Sequence, residues 1–199
     1  MRALLDDTFG SGEKPGSSRP VQPVLRGGPG MNHRDAGLLI AGAVFALDQV
    51  TKLLLLYTFG FMHMPPGGAV SVLPFFNLVM VWNPGISLGL FPASSVEGTV
   101  FLATFQMIAV GVLGWWLWFV RRRTLALGLG LVIGGALGNL IDRLVYGRVA
   151  DFFHLFGFGY DFYVFNVADA AITFGVLGLL YDALLKPEEA RGQGNAGKE

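Results

Sequence analysis

The sequence predicts an all-α membrane protein: four transmembrane helices with a small β-rich region on the outer side. Three observations carry this expectation. Apolar residues make up 53% of the 199 and charged residues 14%, whereas a soluble domain carries about 25% charge. Mean hydropathy is +0.55. Four mostly apolar stretches reach about 20 residues, the length a helix needs to cross hydrocarbon.

Composition also excludes function classes. Fourteen acidic and 14 basic residues balance to zero, which argues against nucleic acid as a partner. There is no cysteine, so a disulfide framework, a thiolate metal site and a cysteine nucleophile are ruled out.

Residues 1–35 read as a disordered cytoplasmic extension. The first 30 hold six glycines, four prolines and three serines without periodicity, too little apolar surface to offset chain entropy. Met31 is a candidate physiological start, and the intact mass of natively expressed protein tests that. The four-helix domain is expected over 36–185, with spans at about 36–57, 98–120, 124–141 and 166–185. Asp48 and Lys52 inside the first span, with no small-residue cleavage site after them, favour a retained helix over a signal peptide. The second and third spans carry no charge and are separated only by Arg121–Arg123. This run predicts a tight helical hairpin. Residues 186–199 form a polar tail.

Lysine and arginine collect in cytoplasmic loops. Four spans put both termini and the Arg121–Arg123 turn on one side. That side holds 11 of the 14 basic residues, leaving only Lys52, Arg143 and Arg148. Both termini are therefore expected in the cytoplasm. The segment from Thr58 to Glu97 then faces outward. Its stretch from Ala69 to Trp82 is rich in β-branched and aromatic residues and broken by Pro74, so a small interfacial sheet is expected. The outer segment Leu144–Phe165 is aromatic and suits the headgroup layer.

Ionisable residues within spans are costly and are functional candidates. Asp48 and Lys52 are four apart and share a helix face. They suit a structural intramembrane pair, with a proton relay as the alternative. Gly130, Gly134 and Gly138 recur every four residues and suit close helix packing. Asn139, Asp142 and Arg143 follow at the outer end of the third span, and an arginine there can hold a carboxylate in a fork. Asp151 and Asp169 lie on separate segments that return to the same rim. Two carboxylates meeting in a desolvated site divide into one acid and one base, as aspartic peptide hydrolysis needs. Ion pathways and buried pairs are the competing uses of such aspartates.

Other chemistries find less support. No His-Glu-x-x-His or Gly-x-Ser-x-Gly pattern is present. Asp151 and His154 are close enough in sequence to share a metal, but no third ligand suggests itself. Met62-His63-Met64 suits an interfacial loop better than copper. A Ser87–Lys52 pair is unconstrained by spacing.

Five blocks in order are similar to the lipoprotein signal peptidase family, also called signal peptidase II. They are Asp48-Gln-Val-Thr-Lys52, Asn83-Pro-Gly-Ile-Ser-Leu-Gly-Leu-Phe91, Gly134-Gly-Ala-Leu-Gly-Asn-Leu-Ile-Asp-Arg143, Gly147-Arg-Val-Ala-Asp151-Phe152 and Phe165-Asn-Val-Ala-Asp169. The resemblance spreads over nearly all of 36–185. It departs at Ala150, where the family often has Val, and in the aromatic loop before Phe165.

The resemblance implies an aspartic endopeptidase of the bacterial inner membrane. Its substrates would be diacylglyceryl-modified prolipoproteins, cut just before the lipidated cysteine. It implies Asp151 and Asp169 as the catalytic pair. Asn83, Asn139, Arg143 and Asn166 would bind substrate backbone or fix the aspartates, with Asp142 in support. Ala168 would leave room beside Asp169. Gly135 and Gly138 would let the third helix approach the groove. Asp48 and Lys52 would stabilise the first helix. No metal or other cofactor is expected. The partners implied are prolipoprotein substrate and membrane lipid, and a monomer suffices. The active site would lie near the periplasmic face, with part of Thr58–Glu97 acting as a flap. The alternative reading is a small proton-coupled transporter or channel. It needs carboxylates along a path across the membrane, whereas these cluster at one rim. A scaffold using the glycine faces would not need the two aspartates.

Overall fold

The structure, a computed structural model, describes residues 31–65, 67–85 and 95–185. Of the extension expected to be disordered over 1–35, residues 1–30 lie outside the described residues, as do the polar tail 186–199 and the Ser87 pairing, whereas His33–Asp35 form the first turn of the first helix. Four long helices and one antiparallel sheet make up the described chain. The helices are α1 (His33–Leu53, continued by a π-helical turn at Leu54–Thr58), α2 (Val96–Phe119), α3 (Arg123–Tyr146) and α4 (Val167–Leu185). All four are long and apolar enough to cross a membrane. The strands are β1 (Ala69–Leu73), β2 (Phe76–Asn83), β3 (Val149–Gly157) and β4 (Tyr160–Phe165), paired in that order.

The helix ends follow local chemistry. Ser95 caps α2, its hydroxyl accepting from the Gly98 N–H at 3.2 Å. Val120–Arg122 form the short turn into α3, so the arginine run does close a helical hairpin. The third helix runs on to Tyr146, which places Asp142 and Arg143 inside it. Gly147 then takes a left-handed conformation (φ +71°) and donates to Arg143 O at 3.0 Å. That is a glycine C-terminal cap, and it delivers the chain directly into β3.

α3 is the central helix. In its most apolar stretch 67% of residues are buried, against 22%, 17% and 28% in the other three. Glycines make this packing possible. A Cβ at Gly134 would sit 2.5 Å from Ala41 O of α1, and one at Gly135 would sit 2.5 Å from Ala168 O of α4. No side chain fits at either position, so two helices approach α3 at backbone distance. Ala41, Leu117, Ala126, Leu129 and Ile133 form the core toward the arginine-rich end. There Asp182 accepts from Arg122 at 3.1 Å and from Thr124 at 2.5 Å. The outer helix faces carry exposed Phe101, Phe105, Trp115 and Phe174. Such a surface suits lipid rather than water.

The sheet docks on the opposite end of the bundle. Leu55, Leu56 and Phe61, at the end of α1, pack with Ala150 and Phe152 of β3. The Phe61 and Phe152 rings meet edge-on at 6.1 Å. Tyr146 stacks near Trp82 at 5.3 Å and shares a 3.0 Å hydroxyl bond with Tyr57. The expected outer sheet therefore exists, and it recruits the second outer segment as β3 and β4.

Candidate active site

At the sheet end, α1, α3, β3 and α4 converge on a polar cluster. It starts at α1. Lys52 Nζ lies 2.8 Å from Asp48 Oδ2 and 2.8 Å from Asp142 Oδ2, and donates to Asn139 Oδ1 at 3.1 Å. Lys52, Asp48 and Asp142 are all nearly inaccessible to solvent. Each carboxylate also holds backbone. Asp48 Oδ1 accepts the Ala168 N–H at 2.9 Å, which satisfies an otherwise unpaired donor in the first turn of α4. Asp142 Oδ2 accepts the Ala150 N–H at 3.1 Å and so positions the start of β3. Gln49 reaches Asp48, Asp142 and Gly138 O at 3.2–3.3 Å. A side chain at Gly138 would collide with the Asp48 carboxylate.

Two asparagines connect this cluster to the aspartates. Asn166 precedes α4 and caps it, its Oδ1 accepting the Asp169 N–H at 2.9 Å. Its amide nitrogen is shared among Asp151 Oδ1 (2.6 Å), Asn139 Oδ1 (3.1 Å) and Ala150 O (3.3 Å). Asn139 Nδ2 donates to Asp169 Oδ1 at 2.9 Å. Asp151 and Asp169 are thus joined through Asn166 and Asn139, with the Lys52 ammonium behind them. On the sheet side, Asn83 Nδ2 donates to Asp151 Oδ2 at 3.0 Å and meets the Tyr163 hydroxyl at 2.6 Å.

Four carboxylates (Asp48, Asp142, Asp151, Asp169) face two cations, Lys52 and Arg143. Burial and the nearby Asp169 charge push the Asp151 carboxyl up to about 7, against the lowering effect of Asn83, Lys52 and Asn166. Near neutral pH the pair can therefore hold one proton, giving an acid and a base side by side.

Arg143 does not form a fork on Asp142. It is held by oxygens from three elements: Gly85 O at 2.5 Å, Gln106 Oε1 at 3.0 Å and Asn139 O at 3.3 Å. Gln106 of α2 also donates to Ala136 O at 2.7 Å. Beside Arg143 a cavity of about 640 Å³ opens between α2 and α4. Asp169, Asn139, Gln106 and Tyr163 line it among apolar residues such as Leu102, Phe105, Ile172 and Phe174.

Described residues from each of the five sequence blocks meet in one place. The model of the family described as signal peptidase (SPase) II matches residues 40–185. The chain belongs to the signal peptidase II family. The lipoprotein signal peptidase of Rhodopseudomonas palustris strain TIE-1 is 46% identical over 153 residues, covering 75% of this chain and 92% of that protein. That of Nitrobacter hamburgensis is 46% identical over 160 residues, covering 78% and 96%. Among solved structures, a bacterial membrane enzyme determined in meso at 2.3 Å matches with a TM-score of 0.64 and 32% identity, over 77% of this chain and 92% of that one. A second, at 1.9 Å, gives 0.63 and 31%, over 75% and 93%.

Membership in the signal peptidase II family makes the chain a peptidase. The structure brings together Asp48, Lys52, Asn83, Asn139, Asp142, Arg143, Asp151, Asn166 and Asp169. Ala168 is fully buried against Gly135 of α3. Asp151 and His154 are kept apart: they lie three apart on one strand and so point to opposite faces, and His154 turns to Asp161 at 3.5 Å. Gln106, Gln49 and Tyr163 join the site without having been singled out from the sequence. Gln106 is legible in hindsight as a polar side chain in the middle of an otherwise apolar span.

Proposed function

We infer that this signal peptidase II family member cleaves the signal peptides of prolipoproteins during lipoprotein maturation. The observation that carries this reading is the Asp151–Asn166–Asn139–Asp169 network at the rim of an apolar cavity. Its relatives in Rhodopseudomonas and Nitrobacter are named lipoprotein signal peptidases.

The mechanism follows from the network. Asp169 lines the cavity, while Asp151 lies behind it at 1% exposure. Asp151, with its carboxyl near 7, holds the proton that the pair shares. Asp169 takes a proton from a water, which attacks the scissile carbonyl. The proton held by the pair passes to the carbonyl oxygen, giving a neutral tetrahedral species. As that species collapses, Asp169 passes the proton it took from water to the nitrogen, Asp151 takes back a proton from a hydroxyl of the diol, and the C–N bond breaks, which restores the pair. Asn139 and Asn166 hold the carboxylates in register, and Arg143 holds the Gly85 strand end beside the site.

The substrate proposed is a prolipoprotein whose cysteine carries diacylglycerol, cut just before that cysteine. The cavity supports this by placing apolar walls of α2 and α4 next to Asp169, so that acyl chains stay in hydrocarbon while the peptide reaches the carboxylate. The distribution of basic residues supports a bacterial inner-membrane location with cytoplasmic termini and a periplasmic site. Every side chain of the network comes from one chain, so a monomer suffices.

Purified protein in detergent, given a diacylglyceryl-modified prolipoprotein, tests the reading. Wild type should cut it and leave the unlipidated precursor. Asp151→Asn and Asp169→Asn should each lose at least ~10³-fold while staying folded. Cleavage by Asp151→Asn at the wild-type rate would remove the aspartic mechanism, and equal cutting of both precursors would remove the lipid requirement.

A further inference from the structure

We propose that the arginine-rich end of the bundle binds one anionic phospholipid headgroup, at a site remote from the aspartates. A cavity of about 310 Å³ lies there between the start of α1 and the end of α2. Asn32, His33, Arg34, Trp118, Val120 and Arg121 line it, and no carboxylate does. Its volume is at the lower end of the roughly 300–1,000 Å³ typical of small-ligand sites, with room for a phosphate and its glycerol.

Most donors in this cavity have no partner among the described residues. Arg122 is taken by Asp182 at 3.1 Å, but its neighbour Arg121 has no ion-pair partner among the described residues. Arg34 uses only its Nε, on Asp35 at 3.1 Å. Its Cζ stands 4.2 Å over the Trp118 ring, and this cation–π contact fixes the guanidinium at the cavity edge with its terminal nitrogens free. The Asn32 side chain makes no bond to the helix that it precedes. Two permanent guanidinium charges with free donor forks select a phosphate-type anion.

Position selects the lipid form. Trp118 lies in the last turn of a 24-residue apolar helix, the level at which tryptophan marks the boundary between hydrocarbon and headgroups. A phosphodiester at that depth is within reach of both arginines. Its acyl chains would lie along the exposed Leu38, Trp115 and Phe119.

Native mass spectrometry of the full-length protein in neutral detergent, titrated with phosphatidylglycerol or phosphatidylcholine, tests this. Wild type should hold one phosphatidylglycerol about 30-fold more tightly than R34Q/R121Q, as expected from losing two charges near a headgroup at about 1 kcal/mol each. R34K/R121K should recover part of the difference, and phosphatidylcholine should bind all three alike. Equal phosphatidylglycerol retention by wild type and R34Q/R121Q overturns the proposal. Displacement of the lipid by inorganic phosphate at matched concentration also overturns it, because the site would then read a free anion. Unfolding temperature in lipid-free detergent separates lost binding from misfolding. If R34Q/R121Q does not fold, R121Q alone carries the comparison, since Arg121 has no ion-pair partner to lose among the described residues.

Discussion

The Asn166 amide nitrogen stands 2.6 Å from Asp151 Oδ1. The same side chain, through its oxygen, caps the helix that carries Asp169, at 2.9 Å. One residue therefore sets the position of one aspartate and the helix end of the other. Asn166→Ala should remove both. Loss of a cap costs about 1 kcal/mol, so the protein should remain folded, with a modestly lower unfolding temperature. Cleavage should fall at least ~100-fold. Asn166→Ser keeps a capping oxygen at the start of α4 but lacks the amide nitrogen that donates to Asp151. It should recover stability and not activity. Recovery of both would mean that Asn166 acts only as a cap.

The alkaline limb of activity should report Asp151. Its carboxyl is raised to about 7, and the proposed active form keeps one proton on the pair. Activity is then present below that value and lost as pH rises through it. Asn83 donates to Asp151 Oδ2, which favours the ionised form and lowers the pKa. Asn83→Ala removes that donor, so the limb should move to higher pH by roughly half a unit to one unit. A pH–rate profile of kcat for both proteins decides it. An unmoved or lowered limb would mean that a different group controls the loss.

Much of this arrangement was legible in the sequence, for physical reasons. Four apolar runs were read as spans because a bilayer demands length and hydrophobicity, and both can be counted. The small sheet was foreseen over Ala69–Trp82 from β-branched and aromatic residues. Its extension into β3 and β4 was not, because strand pairing depends on partners 70 residues away. Nor was the irregularity between Leu78 and Val81, where β2 gains one residue against β3. Without that bulge Asn83 would face away from Asp151, since a one-residue slip exchanges the faces of a strand. Motif blocks drew attention to Asn83, yet no local pattern shows that it shares a face with Asp151. Gln106 stands alone in an uncharged span, and its role appears only when Arg143 reaches across from α3.

Gln106 joins α2 to Arg143 and to the Ala136 carbonyl of α3. It touches no carboxylate of the network, so it acts as a positioning residue. Gln106→Leu, similar in volume, should leave Arg143 with fewer acceptors and loosen the strand end at Gly85. The expected signature is a kcat about ten-fold lower with the pH limb unmoved. Gln106→Glu keeps the acceptor for Arg143 and should restore more activity than Leu. If Leu and Glu are equally impaired, the bond to Ala136 rather than the bond to Arg143 is the one that counts.

Among the described residues, Lys52 is the only cation within reach of both Asp48 and Asp142, at 2.8 Å from each. Removing one partner of a buried ion cluster is worse than removing all of it, because the charges left behind have lost their solvation without compensation. Lys52→Met should therefore destabilise the protein by about 3–5 kcal/mol. Adding Asp48→Asn and Asp142→Asn to it should recover a large part of that loss, since each neutral amide keeps an oxygen for the N–H of Ala168 or Ala150. Thermal unfolding in one detergent, across wild type, single and triple variants, measures the difference. A triple variant no more stable than Lys52→Met alone would mean that Lys52 stabilises mainly through Asn139. In that case the ammonium matters for orienting the asparagine between the two aspartates more than for neutralising charge.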